Sequence, residues 1–511
     1  FFFWHSTNNI QMLTLALALA LAWPASARVS ECQYESIWDV PIPGSVEARV
    51  LSPWLVEASP KVVARFAHQD SSRYLSIFDM PTAVWVSWKR GNWPHAAGPT
   101  QRYYVARDCD ADLLTWRREP CVRVEEGAAS PPPLEIPIAP RVAHNLGLAP
   151  LSATGLFGLG GETSVQNKTV SKRATSRLDT AETTAIRLED DGAFAAFPGG
   201  VTARSPGCVE RRDKYHGLCQ FDGRFSLAVL RERRSAVDVG DGDSIGDDDS
   251  KGDGDDSSVW LYARANTHTD SNGRFVSAAK LALPGKNDTV ATADRLEWGT
   301  FHLLTFLGAQ AKKTAGPSSS LRRRRRPKEE IKPSSSRLFA EVLSEPRLAV
   351  DRADIYTAAV NEYRGLLLGL FSTIVRVKAK RANQSSVHDA AILMAASCDG
   401  VNFSTPVPVV RGVPVGDGEL NDHVVDGLLG ADDSGKPLYF FVHHGVPGSF
   451  EVKSAHCPFW QEELNTAHRT PKSHVARYEF NRPALHAHLR AAVADLRHAG
   501  RCPTPPPPLI I

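Results

Sequence analysis

Four short segments that close on an aromatic residue after a polar or acidic stretch recur along the chain. They are Ala106-Arg107-Asp108 running to Trp116, Leu188-Glu189-Asp190-Asp191-Gly192 to Phe194, the stretch ending Leu296-Glu297-Trp298, and Ser397-Cys398-Asp399-Gly400-Val401-Asn402-Phe403. The gaps between the aromatic positions are 78, 104 and 105 residues. Two low-complexity inserts lie in the longer gaps, and removing roughly 24 residues for each brings all three near ~80, the arithmetic of a repeated β-unit. A last unit closing near Tyr478 to Phe480 makes five. Repetition of this kind predicts a radial all-β fold, which gathers polar residues from every repeat around one axial pocket.

Local patterning agrees. Short apolar runs bounded by turn residues, rich in aromatic and β-branched side chains, predict strands. They are Ala83 to Trp88, Ser226 to Leu230, Val259 to Ala263, Leu366 to Phe371 and Leu438 to Val442. Helical signal is sparse; the best candidate spans Arg482 to Val493, with Pro483 suited to a first helical turn. With 42% apolar and 8% aromatic residues, the chain has material for an ordinary core, and its net charge of +2 supplies no overall steering.

The inserts cannot join that core. Asp238 to Asp256 carries nine Asp against one Lys among Gly and Ser, the composition of a solvated loop. A calcium loop would place a bidentate Glu twelfth; counting from Asp247, Gly252 fits the sixth place but Ser258 stands at the twelfth. The second insert, Lys312 to Ser336, holds Arg322 to Arg326 between serine runs. The expected organisation is a leader and signal peptide at 1–27, one β domain at 28–500 with disordered inserts at 234–257 and 312–336, and a proline-rich tail at 501–511.

Export follows from the apolar run after Met12 and the small residues Ala25-Ser26-Ala27 at the cleavage positions. The run is shorter than the ~20 residues that span a bilayer, so no stable membrane insertion is expected. Eight cysteines, an even number, favour disulfides in a secreted chain. Cys208 with Cys219, and Cys109 with Cys121, are close enough to staple single hairpins. Sequons at Asn167, Asn287, Asn383 and Asn402 agree with secretory passage, which also argues against nucleic acid as a partner of the arginine run.

Five units, Asp-Gly hairpins that end in an aromatic residue, and strands such as Trp260-Leu261-Tyr262-Ala263-Arg264-Ala265-Asn266 resemble the five-bladed β-propellers of the arabinanase, invertase and levansucrase glycoside hydrolases, and their secreted algal and bacterial relatives. The hairpin Ser397 to Phe403 is also similar to the shortened Asp-box of sialidase-type blades, which leaves a six-bladed sialidase-like propeller as the alternative. The resemblance spans about Arg28 to Phe480 and concerns architecture. The Asn-Asp-Pro-Asn, Arg-Asp-Pro and Glu-Cys segments of invertase-like enzymes are not intact, and His144-Asn145-Leu146-Gly147 lacks the Asp that would complete such a site.

The resemblance implies a secreted carbohydrate-acting protein with paired carboxylates, one to protonate the leaving group and one to act as nucleophile or base. The richest acidic segment, Cys208 to Phe225, offers Glu210 and Asp222; the next, Asn421 to Gly427, offers Asp426, and Asp354-Ile355-Tyr356 follows. Glu210, Asp222 and Asp426 are the candidate catalytic residues, with Arg211, Arg264, Asn266 and His423 as substrate-binding residues. Asp222-Gly223 equally suits a plain hairpin turn, and Arg211 and Arg264 equally suit buried ion pairs. Adjacent His443 and His444 point to opposite faces of a strand and so cannot hold one metal together; no metal or other cofactor is expected. A propeller that binds glycans without cleaving them, and an extracellular protein-binding scaffold, remain alternatives.

Overall fold

The computed structural model describes residues 49–57, 61–65, 75–79, 84–90, 102–109, 134–136, 147–150, 156–161, 183–188, 194–196, 217–220, 225–231, 257–266, 274–282, 297–308, 334–344, 350–377, 388–411, 420–431, 435–447 and 474–502. These residues form five sheets and two helices, and no sheet closes on itself.

The chain opens with β1 (Arg49–Val50) and β2 (Lys61–Arg65). The first sheet is β3 (Ser76–Asp79), β4 (Val84–Arg90), β5 (Arg102–Cys109) and β6 (Leu134–Ile136). The second is β7 (Gly147–Pro150), β8 (Leu156–Gly161), β9 (Thr183–Leu188) and β10 (Phe194–Ala196). The third comprises β11 (Gly217–Gln220), β12 (Ser226–Arg231), β13 (Ser257–Asn266), β14 (Arg274–Ala282), β15 (Glu297–Trp298) and β16 (His302–Leu303). Next come β17 (Thr305–Phe306), α1 (Ser334–Leu343), β18 (Val350–Tyr363), β19 (Leu366–Val377), β20 (His388–Ser397), β21 (Asn402–Phe403) and β22 (Val407–Arg411). Their strands build the fourth sheet, to whose outer strand β1 is added. The fifth sheet is β23 (Leu420–Val424), β24 (Leu438–Pro447) and β25 (His474–Phe480), completed by β2 from the other end of the chain, and α2 (Arg482–His498) follows.

Each expected strand is present: β4, β12, β13, β19 and β24 cover the five apolar runs. The C-terminal helix also forms and continues past Val493 to His498. Asn481 caps it by accepting from the Ala484 amide at 3.1 Å, Pro483 stands in its first turn, and Leu485, Leu489, Ala492, Val493 and Leu496 make one buried stripe. Helix α1 was not foreseen: it starts at Ser334, inside the stretch read as an insert, just as β13 starts at Ser257. Phe339, Ala340 and Leu343 are buried and anchor α1. The guanidinium of buried Arg411 donates to the Leu343 carbonyl at 3.2 Å, satisfying one open acceptor at the helix end.

Burial explains the layering. Between the third and fourth sheets Phe306 is the hub, its ring 4.8 Å from Phe339, 5.3 Å from Phe371 and 5.7 Å from Phe403. A second core lies between the fourth and fifth sheets, where Leu368, Leu370, Ile392 and Met394 meet Val424, Phe440, Val442 and Tyr478 beneath α2. A third core joins Val425, Phe441 and Val475 of the fifth sheet region to Leu75, Ile77, Val84 and Val86 of the first.

The hairpin from Ser397 to Phe403 shows why an Asp and a Gly recur there. Asp399 Oδ1 accepts from the amides of Val401 at 2.9 Å and Asn402 at 2.7 Å and from Ser397 Oγ at 3.1 Å, while Oδ2 accepts from Asn402 Nδ2 at 2.6 Å. Gly400 has φ +80°, and a Cβ there would sit 2.6 Å from the Trp260 ring. Thr305 Oγ1 donates to Asn402 Oδ1 at 2.6 Å as β17 pairs in parallel with β21, so the hairpin holds β17, which follows directly on β16 of the third sheet, in the fourth sheet. Both ends of the Asn402 side-chain amide are therefore hydrogen-bonded within the fold; Asn167, Asn287 and Asn383 lie outside the described residues.

Cys398 in this hairpin is bonded to Cys502 just past α2, across 104 residues. That bridge was not anticipated. The expected Cys208–Cys219 and Cys109–Cys121 pairs involve Cys208 and Cys121, which lie outside the described residues.

Candidate functional site

One strand of each sheet lies next to a strand of a neighbouring sheet: β3 beside β7, β7 beside β12, β12 beside β18, and β18 beside β23. Asp426, two residues past β23, returns to β3 by a parallel bridge with Ser76. Its amide donates to Leu75 O at 3.1 Å, and its carbonyl accepts from Ile77 N at 2.7 Å. Gly427 must follow, because its φ is +97° and a Cβ would lie 1.6 Å from the Ile77 carbonyl oxygen.

The side chain of Asp426 completes this junction. It is 1% exposed, and Oδ1 accepts from Ser226 Oγ at 2.9 Å. The same hydroxyl accepts from the Val360 amide at 2.9 Å. The carboxylate and the Ser226 hydroxyl thus join the third, fourth and fifth sheets while the Asp426 backbone joins the first, the geometry of a tether.

Of the other residues named from the sequence, Glu210, Arg211 and Asp222 lie outside the described residues. Arg264 is half-buried on β13, in register with Gln220 and Val276. Asn266 ends that strand opposite Gly217 and Arg274. Both extend β13 beyond Tyr262, the partner of Ser226, and so lie toward the end of the third sheet that meets Asp426. His423 is buried on β23, its ring stacked on that of half-buried Tyr356 from β18 at 5.0 Å between centroids. The structure therefore brings together two segments singled out separately in the sequence, Asp354-Ile355-Tyr356 and Asn421-Asp422-His423.

A polar cluster missed by the sequence reasoning lies on the opposite face of the fifth sheet. His444 Nδ1 is 3.1 Å from Asp422 Oδ2, and its Nε2 is 2.7 Å from the Tyr478 hydroxyl. The carboxylate favours the proton on Nδ1, which leaves Nε2 to accept from the phenol. Burial, followed by the charge of Asp422, pushes the Tyr478 hydroxyl well above its ordinary pKa and keeps it a donor. His474 stacks on His444 at 5.2 Å. His443, its neighbour in sequence, instead lies across from His423 on the other face, as strand alternation requires. Strand spacing could have paired positions 422, 444 and 478 only once the register of three strands was known.

Among the described residues no group of three or more His, Cys, Asp or Glu is placed to hold a metal ion. Nor is any described helix long and apolar enough to cross a membrane.

No protein-family model matches this chain, and no curated protein matches it. Solved structures similar to it include carbohydrate-active proteins. An N-acetylgalactosamine deacetylase from F. plautii, solved with blood group B trisaccharide, is 12% identical over 84% of this chain and 94% of its own, with a TM-score of 0.34. A glycosyl hydrolase from Bacteroides ovatus is 9% identical over 86% and 92%, with a TM-score of 0.33. A structure from the GH130 mannoside phosphorylase family, reported to contain glycoside hydrolases that target β-1,2 mannosidic linkages in Candida mannan, is 11% identical over 86% and 92%, with a TM-score of 0.32. Similarity at these values decides neither family nor activity.

Proposed function

We propose that the chain is a secreted five-bladed β-propeller of the glycosidase-like kind, which takes carbohydrate where Tyr356 and His423 meet. The sequential order of five sheets, the neighbouring strands β3, β7, β12, β18 and β23, the return of Asp426 to Ser76 and the completion of the fifth sheet by β2 all support a closed ring. The Cys398–Cys502 bridge supports an oxidising compartment.

The observation that carries the functional reading is the stacked Tyr356–His423 pair, with Asp354 two residues before Tyr356 on β18. A sugar ring presents C–H groups to an aromatic face and hydroxyls to carboxylates, so this combination suits a glycan. In this reading Asp354 supplies one carboxyl group of a hydrolytic pair, Glu210 or Asp222 the other, and Arg211, Arg264 and Asn266 the polar lining; Asp426 holds the ring together. A second reading, binding without cleavage, is favoured by the burial of Asp354 and Asp422, each 4% exposed.

Reducing-sugar release and glycan-array binding, measured on wild type, Asp354→Asn and Tyr356→Ala, test both. Loss of hydrolysis with retained binding in Asp354→Asn supports the enzyme, and binding by an inactive wild type that Tyr356→Ala weakens supports the glycan receptor. A folded wild type that binds no glycan and cleaves none refutes both.

A further inference from the structure

We propose that one flank of α2, carrying Arg482, His486, Arg490 and Arg497 and extended by Arg364 of the β18–β19 turn, is a docking stripe for a linear anionic polysaccharide bearing carboxylate or sulfate groups. Spacings of four, four and seven residues put these side chains on one side of a helix, over a length of about 22 Å at 1.5 Å per residue. The stripe lies beside the buried face of Leu485, Leu489, Val493 and Leu496.

Its charge is not cancelled within the helix. Arg490 and Arg497 are exposed, and no acidic partner stands against either among the described residues. Asp495 instead falls on the other flank, where it acts on His488, whose ring meets that of Trp54 at 5.5 Å. Arg482 Nη1 and His486 Nε2 converge on the Tyr363 hydroxyl at 3.3 and 2.8 Å, which fixes this end of the stripe.

Two further observations point to use of the positive field. The two-residue turn holds Arg364 at φ +55° and Gly365 at φ +81°, a conformation in which Asn or Gly is the ordinary first residue. An arginine there incurs backbone strain while adding its charge to the stripe. The imidazole of His486 is also held below its ordinary pKa, first by burial and then by the charges of Arg364, Arg482 and Arg490. The exposed arginines Arg490 and Arg497 at this spacing complement a polymer of repeating anions, and screening by salt is its signature. The choice of a glycan over other polyanions rests on the proposed carbohydrate role.

Binding of polygalacturonate, dextran sulfate, neutral dextran and a single-stranded oligonucleotide to the intact chain, at low and physiological salt, tests the proposal. Wild type should bind the two acidic glycans, lose affinity as salt rises, and ignore neutral dextran. Each exposed arginine contributes about five-fold, so Arg490→Gln/Arg497→Gln should weaken acidic-glycan binding about 25-fold without changing the circular dichroism spectrum. The His486 resonance should titrate at higher pH when polygalacturonate is added. Unchanged affinity in the double variant, an unmoved His486 titration, or equal binding of neutral dextran overturns the stripe; an oligonucleotide bound as tightly as the acidic glycans overturns its assignment to glycans. Loss of anionic binding in the double variant while Tyr356→Ala leaves every neutral-glycan activity unchanged would instead refute the axial site and keep the stripe.

Discussion

Replacing Asp399 with alanine removes every bond that organises the Ser397–Phe403 hairpin around one carboxylate. Three N–H donors are released, the amides of Val401 and Asn402 and the Asn402 side chain, at 2.9, 2.7 and 2.6 Å in the native hairpin. Bonds to a charged acceptor are worth about 1.5–3 kcal/mol each, and Asp399 is only half-buried, so water recovers part of each. About 1 kcal/mol per donor, hence about 3 kcal/mol in all, is the working figure. Asp399→Asn keeps an oxygen for the two backbone amides but presents N–H to the N–H of Asn402, so it should cost about 1 kcal/mol. Urea unfolding followed by tryptophan fluorescence measures both, and the midpoint should fall without a change in m. If the alanine variant lies within about 0.5 kcal/mol of wild type, or the asparagine variant is as damaging as alanine, the carboxylate is not what holds the hairpin.

Gly427→Ala should abolish soluble folded protein, since its Cβ would occupy the Ile77 carbonyl; a normal yield with a native near-UV spectrum contradicts that close approach. Cys502→Ser opens a 104-residue loop and should cost about 4–5 kcal/mol on the chain-entropy model, so reductant should lower the wild-type midpoint by more than the variant's. Burial lowers the pKa of His488, with Asp495 opposing, and burial plus three arginines lowers that of His486. The unfolded state therefore takes up protons first, and stability should be constant above the ordinary histidine pKa of about 6.5 and decline below it. His488→Gln should flatten that acid limb in a pH series of urea midpoints.

The strands and the C-terminal helix were legible because burial writes a period into the sequence: Leu485, Leu489, Val493 and Leu496 spell one helical stripe, and the aromatic runs spell strands. The aromatic markers of the repeat do not share one strand position, since Phe194 opens β10 whereas Trp298 and Phe403 close β15 and β21. Trp116, the first member, lies outside the described residues. What stayed hidden depends on contacts between distant residues. The serine-rich opening of α1 has no helical signature, and Phe339 becomes decisive only when Phe306 and Phe371 surround it. Local charge density drew attention to Glu210 and Asp222, whereas Asp422, His444 and Tyr478 meet only through the register of three strands. Asp426 was conspicuous as an acid beside a glycine, and its tethering contacts run to Ser226 and β3, far away in sequence.

The pairing of β2 with β25 sets a timetable for synthesis. Arg65 lies opposite His474, a separation of 409 residues. At about 5–20 residues per second, translation leaves the β2 edge without this partner for roughly 20–80 s, far longer than a hairpin takes to form. Throughout that interval the growing chain can assemble its earlier sheets locally, while Lys61–Arg65 is an open strand edge that another chain could capture. The β2–β25 pairing is therefore among the last and most non-local contacts to form, and a ribosome stalled before His474 would release a chain whose β2 has no partner strand.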